Sequence, residues 1–402
     1  MNPSLRMLWA LPYLPWPTTS GGKLRQYHLL RELAARGHRI TLLAQSKIPL
    51  DDAARHALEP LLDRLIVLPR RPLKSFTTMA AALLSPLPLL ATVNGYAAPL
   101  QRRFEQLLDE RWDIVQIEHS YALQPYARSL EQRRQPFLLS EHNIESQLGN
   151  ITYQRLPAAL RPLARLDNWR YRRWEQRALH QAQQVIAVTE ADATAFRALT
   201  PRPVRVAING VDVQAAAHVR PDVHTQRILY VGNFEYAPNV DAVEWAVQEI
   251  MPRVWATRPK ALLCVCGYAL PERWRRHMED PRIEWLGYVK RLDHVQAQAS
   301  AFLAPLRDGG GSKLKVLEAM AAGLPLVSTA QGVSGLNVRE GIHYRRGDHA
   351  AALAQALIEL LQAPEQAVVL GEAGRRYVRE QHDWRIAADQ LEAAYREHTA
   401  CA

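Results

Sequence analysis

Short apolar runs alternate with stretches of helical periodicity along nearly the whole chain, and they do so in two series. In the first series the runs at 7–11, 39–44, 65–68, 114–117, 137–139 and 185–188 read as strands. Between them Leu24, Tyr27, Leu30, Leu33 and Ala34 recur at helical spacing, and 99–108 and 166–183 are helical as well. Gly37 stands where the first helix should end. Around 200–226 the alternation stops; Pro201, Pro203, Gly210 and Pro221 mark this stretch as a linker. A second series follows, with strands at 227–231, 262–266, 283–286, 301–304 and 326–328, flanked by Gly232, Gly267, Gly287 and Gly323. Strands separated by helices predict parallel sheets covered on both faces. A chain of 402 residues is too long for one typical core and divides into two domains of about 200 residues. The expected fold class is α/β, with two Rossmann-like, doubly wound domains at 1–205 and 206–385. A C-terminal helix at 386–402 is expected to return to the first domain.

Composition narrows the function classes. A hydrophobic fraction of 48% and a charged fraction of 22% are those of a water-soluble globular protein. The formal net charge of +10 favours acidic partners such as nucleotides or an anionic membrane surface. The basic residues are scattered, so a nucleic-acid partner is not expected. Three cysteines supply no disulfide framework and fit a reducing cytoplasm. Cys264 and Cys266 alternate within a strand and read as core filling, since no further Cys/His cluster completes a metal site. The apolar stretch 7–14 is interrupted by Pro12, and Pro15 and Pro17 follow, so it does not read as a secretion signal. No apolar run reaches the ~20 residues of a spanning helix. The expected location is the cytoplasm or the cytoplasmic face of a membrane.

The strongest local feature is Arg307-Asp308-Gly309-Gly310-Gly311-Ser312-Lys313-Leu314-Lys315, directly after the strand at 301–304 and opening a helix at 313–322. The glycines let backbone approach a ligand closely. The helix start offers unpaired amides and a positive dipole end, and Arg307 and Lys313 add full charges. Together they suit a diphosphate. The spacing is not that of a Walker loop. Glu318, further along the helix, is placed to accept hydrogen bonds from ribose hydroxyls. In the first series Gly21-Gly22 occupies the matching junction of strand and helix. Taken alone, the loop also suits a solvated turn, and Glu318 an exposed helical carboxylate.

The whole chain, over about residues 7–385, resembles the retaining GT-B-fold glycosyltransferases of family 4, the group 1 glycosyltransferases. The matching segments include Gly21-Gly22-Lys23-Leu24-Arg25, Glu141-His142-Asn143-Ile144-Glu145, Asn209-Gly210-Val211-Asp212 and Tyr230-Val231-Gly232-Asn233. Trp285-Leu286-Gly287-Tyr288 and the string from Pro305 to Gly323 continue the series. The resemblance implies two domains facing a cleft, an acceptor domain first and a nucleotide-sugar donor domain second. It implies roles residue by residue. Glu318 matches a ribose-binding glutamate, and the loop from Gly309 to Leu314 matches the segment holding diphosphate and sugar. Gly22, next to Gly21, matches a glycine whose amide faces the phosphates. Tyr288 and Val289 stand where the base is wrapped. Either Glu118 or His119 matches a polar residue facing the sugar, and His142 and Asn143 are similar candidates.

Two departures stand out. The family often carries an acidic residue at the position of Gly310, for which Asp308 is the nearest substitute. It also often has Arg and Lys after the first strand of the second domain, where this chain reads Asn233-Phe234-Glu235-Tyr236-Ala237-Pro238-Asn239. Arg307 and Lys313 are then the candidates for meeting the phosphate charge, with Asn233 still in the donor set. The sequence has no Asp-x-Asp pair, which fits a metal-independent enzyme without a cofactor beyond the nucleotide-diphosphate sugar itself. The expected function is transfer of that sugar, with retention, to a polysaccharide, lipid-linked or other glycan acceptor. A nucleotide-sugar 2-epimerase of the same fold and a non-catalytic subunit of a polysaccharide assembly complex are the alternatives. Peripheral contact with an anionic membrane is expected from the basic and apolar stretch 70–93. The stretch 169–177, rich in Trp and Arg, reads as a helix with a packed face and a solvated one.

Overall fold

The computed structural model describes residues 3–70, 85–95, 97–146, 161–309 and 313–400. The chain divides into two compact units, Met1–Ile208 with Ala387–Ala402, and Asn209–Ile386.

The first unit is built on a seven-stranded parallel sheet. Its strands are β1 (Arg6–Leu11), β2 (Arg39–Ser46), β3 (Arg64–Pro69), β4 (Ile114–Glu118), β5 (Leu138–Ser140), β6 (Gln184–Ala187) and β7 (Val204–Val206). Their order is β3-β2-β1-β4-β5-β6-β7. Continuous apolar strands such as β1 bury side chains on both faces, as parallel sheets require. One face packs Leu8, Ala10, Val115, Ile117 and Leu139 against Phe104, Trp174 and Phe196. Helix Gly21–Ala35 follows β1, capped by Ser20, whose hydroxyl accepts from the amide of Lys23. Gly37, at φ 85°, makes the left-handed turn into β2. Helix Trp384–Ala400 brings Glu392 to Arg36 (2.6 Å) and His38 (2.9 Å), and the Tyr395 hydroxyl donates to Gln116 Oε1 at 2.6 Å.

The second unit carries a six-stranded parallel sheet. Its strands are β8 (Arg227–Val231), β9 (Leu262–Cys266), β10 (Ile283–Gly287), β11 (Ala301–Ala304), β12 (Leu326–Ser328) and β13 (Arg345–Arg346), in the order β10-β9-β8-β11-β12-β13. Tyr230, Leu263, Val265 and Leu303 meet Trp245, Trp274 and Leu357 in its core. β8 and β9 converge so closely at their ends that a Cβ on Gly267 would lie 1.7 Å from the Gly232 carbonyl oxygen.

Two strands depart from the sequence reading. The stretch read as a linker from residue 200 contains β7, an edge strand pairing with β6, with Val204 buried and Arg205 exposed. A strand of three residues is too short to show a period. β13 consists of two arginines and has no apolar signal at all. Helix Arg161–Gln181 packs Tyr171 and Trp174 inward but leaves Trp169 53% exposed.

Candidate functional site

In each sheet the strand order reverses once, between β1 and β4 and between β8 and β11. Such switch points open a crevice at the carboxyl ends of the strands. Most of the expected site residues of each unit lie on the segments that follow these strands.

In the first unit Tyr13 follows β1, helix Gly21–Ala35 begins, and Glu118 and His119 end β4. Glu118 is fully buried and accepts four hydrogen bonds: Trp9 Nε1 at 2.8 Å, Gln116 Nε2 at 2.5 Å, Gln26 Nε2 at 2.6 Å and His142 Nε2 at 3.1 Å. Burial pushes its pKa up. The bond from His142, the two histidine charges and the Gln116 bond outweigh that and hold it at about 2. His119 adopts a left-handed backbone (φ 67°), a conformation uncommon outside glycine. Its ring stacks on Tyr121 at 4.8 Å, and Nε2 lies 3.2 Å from the Tyr13 hydroxyl. Nδ1 is buried and has no hydrogen-bond partner among the described residues. Burial and the neighbouring His142 lower the pKa of His119 well below the ordinary imidazole value, so it is neutral at pH 7. Gly22 closes this group: a Cβ there would lie 2.7 Å from the Tyr13 hydroxyl and 3.6 Å from His142 Nδ1. Gly21 is the exposed first residue of the helix. Asn143 bonds Glu145, which lies with Glu141 and Glu175 in a buried acidic group behind the site.

In the second unit the segment after β8 and the loop after β11 face each other. Asn239 Nδ2 donates to the Asn233 carbonyl at 2.7 Å, and Asn233 Oδ1 accepts from the Glu235 amide at 2.9 Å. Gly309, at φ 116°, packs so tightly that a Cβ would meet the Tyr236 hydroxyl at 2.9 Å. Its carbonyl accepts from Lys313 Nζ (2.8 Å) and Gln331 Nε2 (2.6 Å). Asp308 turns back to its own loop, accepting from the Gly309 amide at 2.7 Å. Gly310, Gly311 and Ser312 lie outside the described residues. Lys313 caps helix Leu314–Ala321, and Leu314 is buried. Glu318 accepts no side-chain hydrogen bond among the described residues. Burial raises its pKa to about 7, against the pull of Lys315. Tyr288, exposed, and Val289 follow the left-handed Gly287 at the end of β10, beside Gly267.

Arg307, expected on the phosphates, forms a bidentate pair with Asp241 (3.0 and 2.6 Å) and lies over the Trp245 ring at 4.9 Å. The sequence reading missed Tyr13, Gln26, Tyr230 and the side chain of Lys315. Gln26 had a signal, one turn after Gly22 on the same helix face. Tyr13 and Tyr230 had none beyond adjacency to strand ends.

The chain thus pairs two Rossmann-like domains, each with a polar constellation at its switch point, the architecture of the GT-B glycosyltransferases. The description "Glycosyl transferase 4-like domain" matches residues 20–211, and "Glycosyl transferases group 1" matches 225–363. This protein belongs to the group 1 glycosyltransferases and is a transferase. A GDP-mannose-dependent monoacylated alpha-(1-6)-phosphatidylinositol monomannoside mannosyltransferase of Corynebacterium glutamicum is 29% identical over 153 residues, which are 35% of this chain and 40% of that enzyme. An uncharacterized 44.6 kDa protein in the cps region of Klebsiella pneumoniae is 22% identical, covering 81% of this chain and 83% of its own. Among solved structures, Anabaena HepE in complex with UDP and glucose superposes with a TM-score of 0.68 at 16% identity, over 98% of this chain and 100% of its own. Sucrose-phosphate synthase from Thermosynechococcus elongatus gives 0.74 at 19% identity, over 99% and 100%.

Proposed function

We propose that this glycosyltransferase takes its sugar from a nucleoside-diphosphate donor and passes it, with retention and without a metal ion, to a glycan or lipid-linked acceptor at an anionic membrane surface. The observation that carries the donor assignment is Glu318. It is a half-buried carboxylate without a hydrogen bond among the described residues, one helix turn from two lysines at the switch point of the second sheet. That combination suits a ribose beside a diphosphate. UDP in HepE and GDP-mannose for the Corynebacterium enzyme support the same donor class.

The chemistry follows from what each group is free to do. As the donor bond breaks, charge builds on the leaving phosphate, and amides at a helix start together with cationic side chains stabilise it. This is the role a divalent cation fills elsewhere. Glu118 has all its acceptor positions filled and cannot serve as nucleophile, which favours transfer on one face with the leaving phosphate accepting the acceptor's proton. We assign His119, through its unpartnered Nδ1, to the sugar or acceptor hydroxyls, as a neutral hydrogen-bonding group. Glu118 orients His142 and anchors Gln26.

The membrane assignment rests on the first unit. Leu163, Leu166 and Trp169 are exposed on helix Arg161–Gln181, and Leu89 and Leu90 on helix Leu89–Gly95. The Leu89 amide bonds Asp167 at 2.8 Å, joining the two helices. Arg165, Arg172 and Arg173 stand exposed along the same helix, with Arg173 over the Trp169 ring. Apolar tips among cations suit an anionic lipid surface. Of the stretch 70–93 from which membrane contact was expected, 71–84 lies outside the described residues; Arg70 bonds Asn94 at 2.9 Å. Among the described residues no helix is long and apolar enough to cross a membrane.

The test is a thermal-shift panel of UDP- and GDP-sugars, followed by a transfer assay on the best donor. A true donor at 100 times its Kd stabilises by about 2.7 kcal/mol. Turnover of UDP-N-acetylglucosamine to an epimer without acceptor would replace transferase by epimerase.

A further inference from the structure

We propose that Lys315 is the cation that holds the donor diphosphate, reaching from helix Leu314–Ala321 to the place where the segment Asn233–Asn239 after β8 offers no basic side chain. The inference rests on the donor-site reading above and assigns its phosphate contact.

Three basic side chains stand near the switch point of the second sheet, and two are engaged. Arg307 is paired with Asp241, and the Lys313 ammonium donates to the Gly309 carbonyl. The Lys315 ammonium instead crosses to β8 and the helix after it. It donates to Asn239 Oδ1 and, at 3.1 Å, to the Tyr230 hydroxyl, and lies 4.8 Å from the centre of the Tyr230 ring. All these partners are neutral. Among the described residues no carboxylate bonds it, and Glu318 acts on it only through space. An ammonium has three N–H donors, so one is left for a ligand.

A lysine serving only to tether Tyr230 and Asn239 would be a poor choice. Burying an ammonium against neutral groups is costly, and an uncharged donor would make the same bonds. Burial, with Lys313 adding to it and Glu318 opposing, lowers its pKa to about 7. Among the described residues Tyr230, which it bonds, is itself titratable, and Asp241, which acts on Tyr230, is paired with Arg307. A multivalent anion supplies the missing counter-charge and holds the ammonium protonated. Asn239 is fixed for this by its own bond to the Asn233 carbonyl and by Gly232, where a Cβ would lie 3.3 Å from it.

The test compares UDP with uridine and GDP with guanosine by calorimetry, on the wild-type chain and on Lys315→Gln. Glutamine keeps an N–H for Asn239 and Tyr230 but removes the charge. The expected result is at least a tenfold drop in the diphosphate-to-nucleoside affinity ratio, with nucleoside binding unchanged. A second measurement needs no variant. In the wild type the same ratio should fall between pH 7 and 9, by up to tenfold per unit, as the ammonium loses its proton. Glu318 acts on the ribose common to both ligands and cancels from the ratio. An unchanged ratio in Lys315→Gln, or a flat wild-type ratio over that pH range, overturns the assignment while leaving the donor site standing. A wild-type chain that binds none of the four ligands overturns the donor-site reading and this assignment with it.

Discussion

Replacing Glu318 by Gln probes the proposed donor site at its ribose end. The carboxylate makes no side-chain hydrogen bond among the described residues, so the substitution breaks nothing in the free protein that the structure shows. Burial raises its pKa to about 7. The folded state therefore binds a proton more readily than the unfolded chain, and stability falls as pH rises from about 4.5 to 7. Glutamine removes that penalty, so the variant should be at least as stable as wild type at pH 8. Binding should move the other way. A hydrogen bond to a charged group is worth about 1.5–3 kcal/mol. Glutamine keeps one acceptor but no charge, so loss of one such bond weakens UDP or GDP roughly 10- to 150-fold. The pH dependence carries a sign. The ligand needs the carboxylate ionised, so the advantage of the nucleotide over its 2′,3′-dideoxy analogue should shrink as pH drops below about 7, by up to tenfold per unit. Calorimetry with both ligands between pH 5.5 and 8 measures this, and the ratio removes whatever Lys315 and the phosphates contribute. If Glu318→Gln still discriminates against the dideoxy ligand as strongly as wild type, Glu318 does not hold the ribose.

Four further outcomes are expected. Glu118→Gln should cost about 3 kcal/mol at pH 7, because a pKa of about 2 against 4.5 unfolded is stability present above about pH 4.5 and lost as pH falls toward 2; urea melts from pH 3 to 7 check both. His119→Ala should lower kcat roughly 10- to 1000-fold while donor binding, followed by calorimetry, stays within about threefold. Transfer should survive EDTA; loss restored by magnesium or manganese refutes metal independence. The chain should sediment with vesicles rich in phosphatidylglycerol at low salt and release at high salt, and Trp169→Ala with Leu166→Ala should weaken this; equal binding to neutral vesicles refutes the electrostatic part.

The first unit sets the same residue type in opposite states within one site. Glu118 collects four donors and stays ionised into strong acid. Glu141 receives the Ser120 amide at 2.7 Å on one oxygen and, among the described residues, nothing on the other, and burial followed by the charge of Glu175 pushes its pKa well up. Glu145 rises to about 7 for the same two reasons. Below about pH 4.5 the loss of Glu118's charge destabilises the unit; between 4.5 and 7 the deprotonation of Glu145 does. The two slopes have opposite sign, so stability of this unit should peak on the acid side of neutrality. The donors around one carboxylate, not its burial, decide which way it shifts.

How much of this was legible in the sequence depended on whether the signal was local. Ten of the thirteen strands lie within one residue of the apolar runs and an eleventh, β2, extends its run from Ala44 to Ser46, because central parallel strands are apolar on both faces and announce themselves. β7 and β13 did not, since edge strands need bury little; in β13 Arg345 is only half-buried and Arg346 is exposed. The site followed the same rule. Gly22, Gly309 and Glu318 were singled out because each sits at a fixed offset from a strand end or helix start. Charge was harder to place, because a cation can come to one spot from different segments. Reading along the chain, the stretch Asn233–Asn239 holds no cation for a phosphate, and Arg307 and Lys313 were the candidates. In space Arg307 satisfies Asp241, and Lys315 bonds Asn239 itself, 76 residues away in the chain. The proposed phosphate cation thus comes from the opposite side of the switch point. A side-chain tip 6 Å from its backbone obeys no sequence spacing, so such an exchange is invisible to any motif that counts residues.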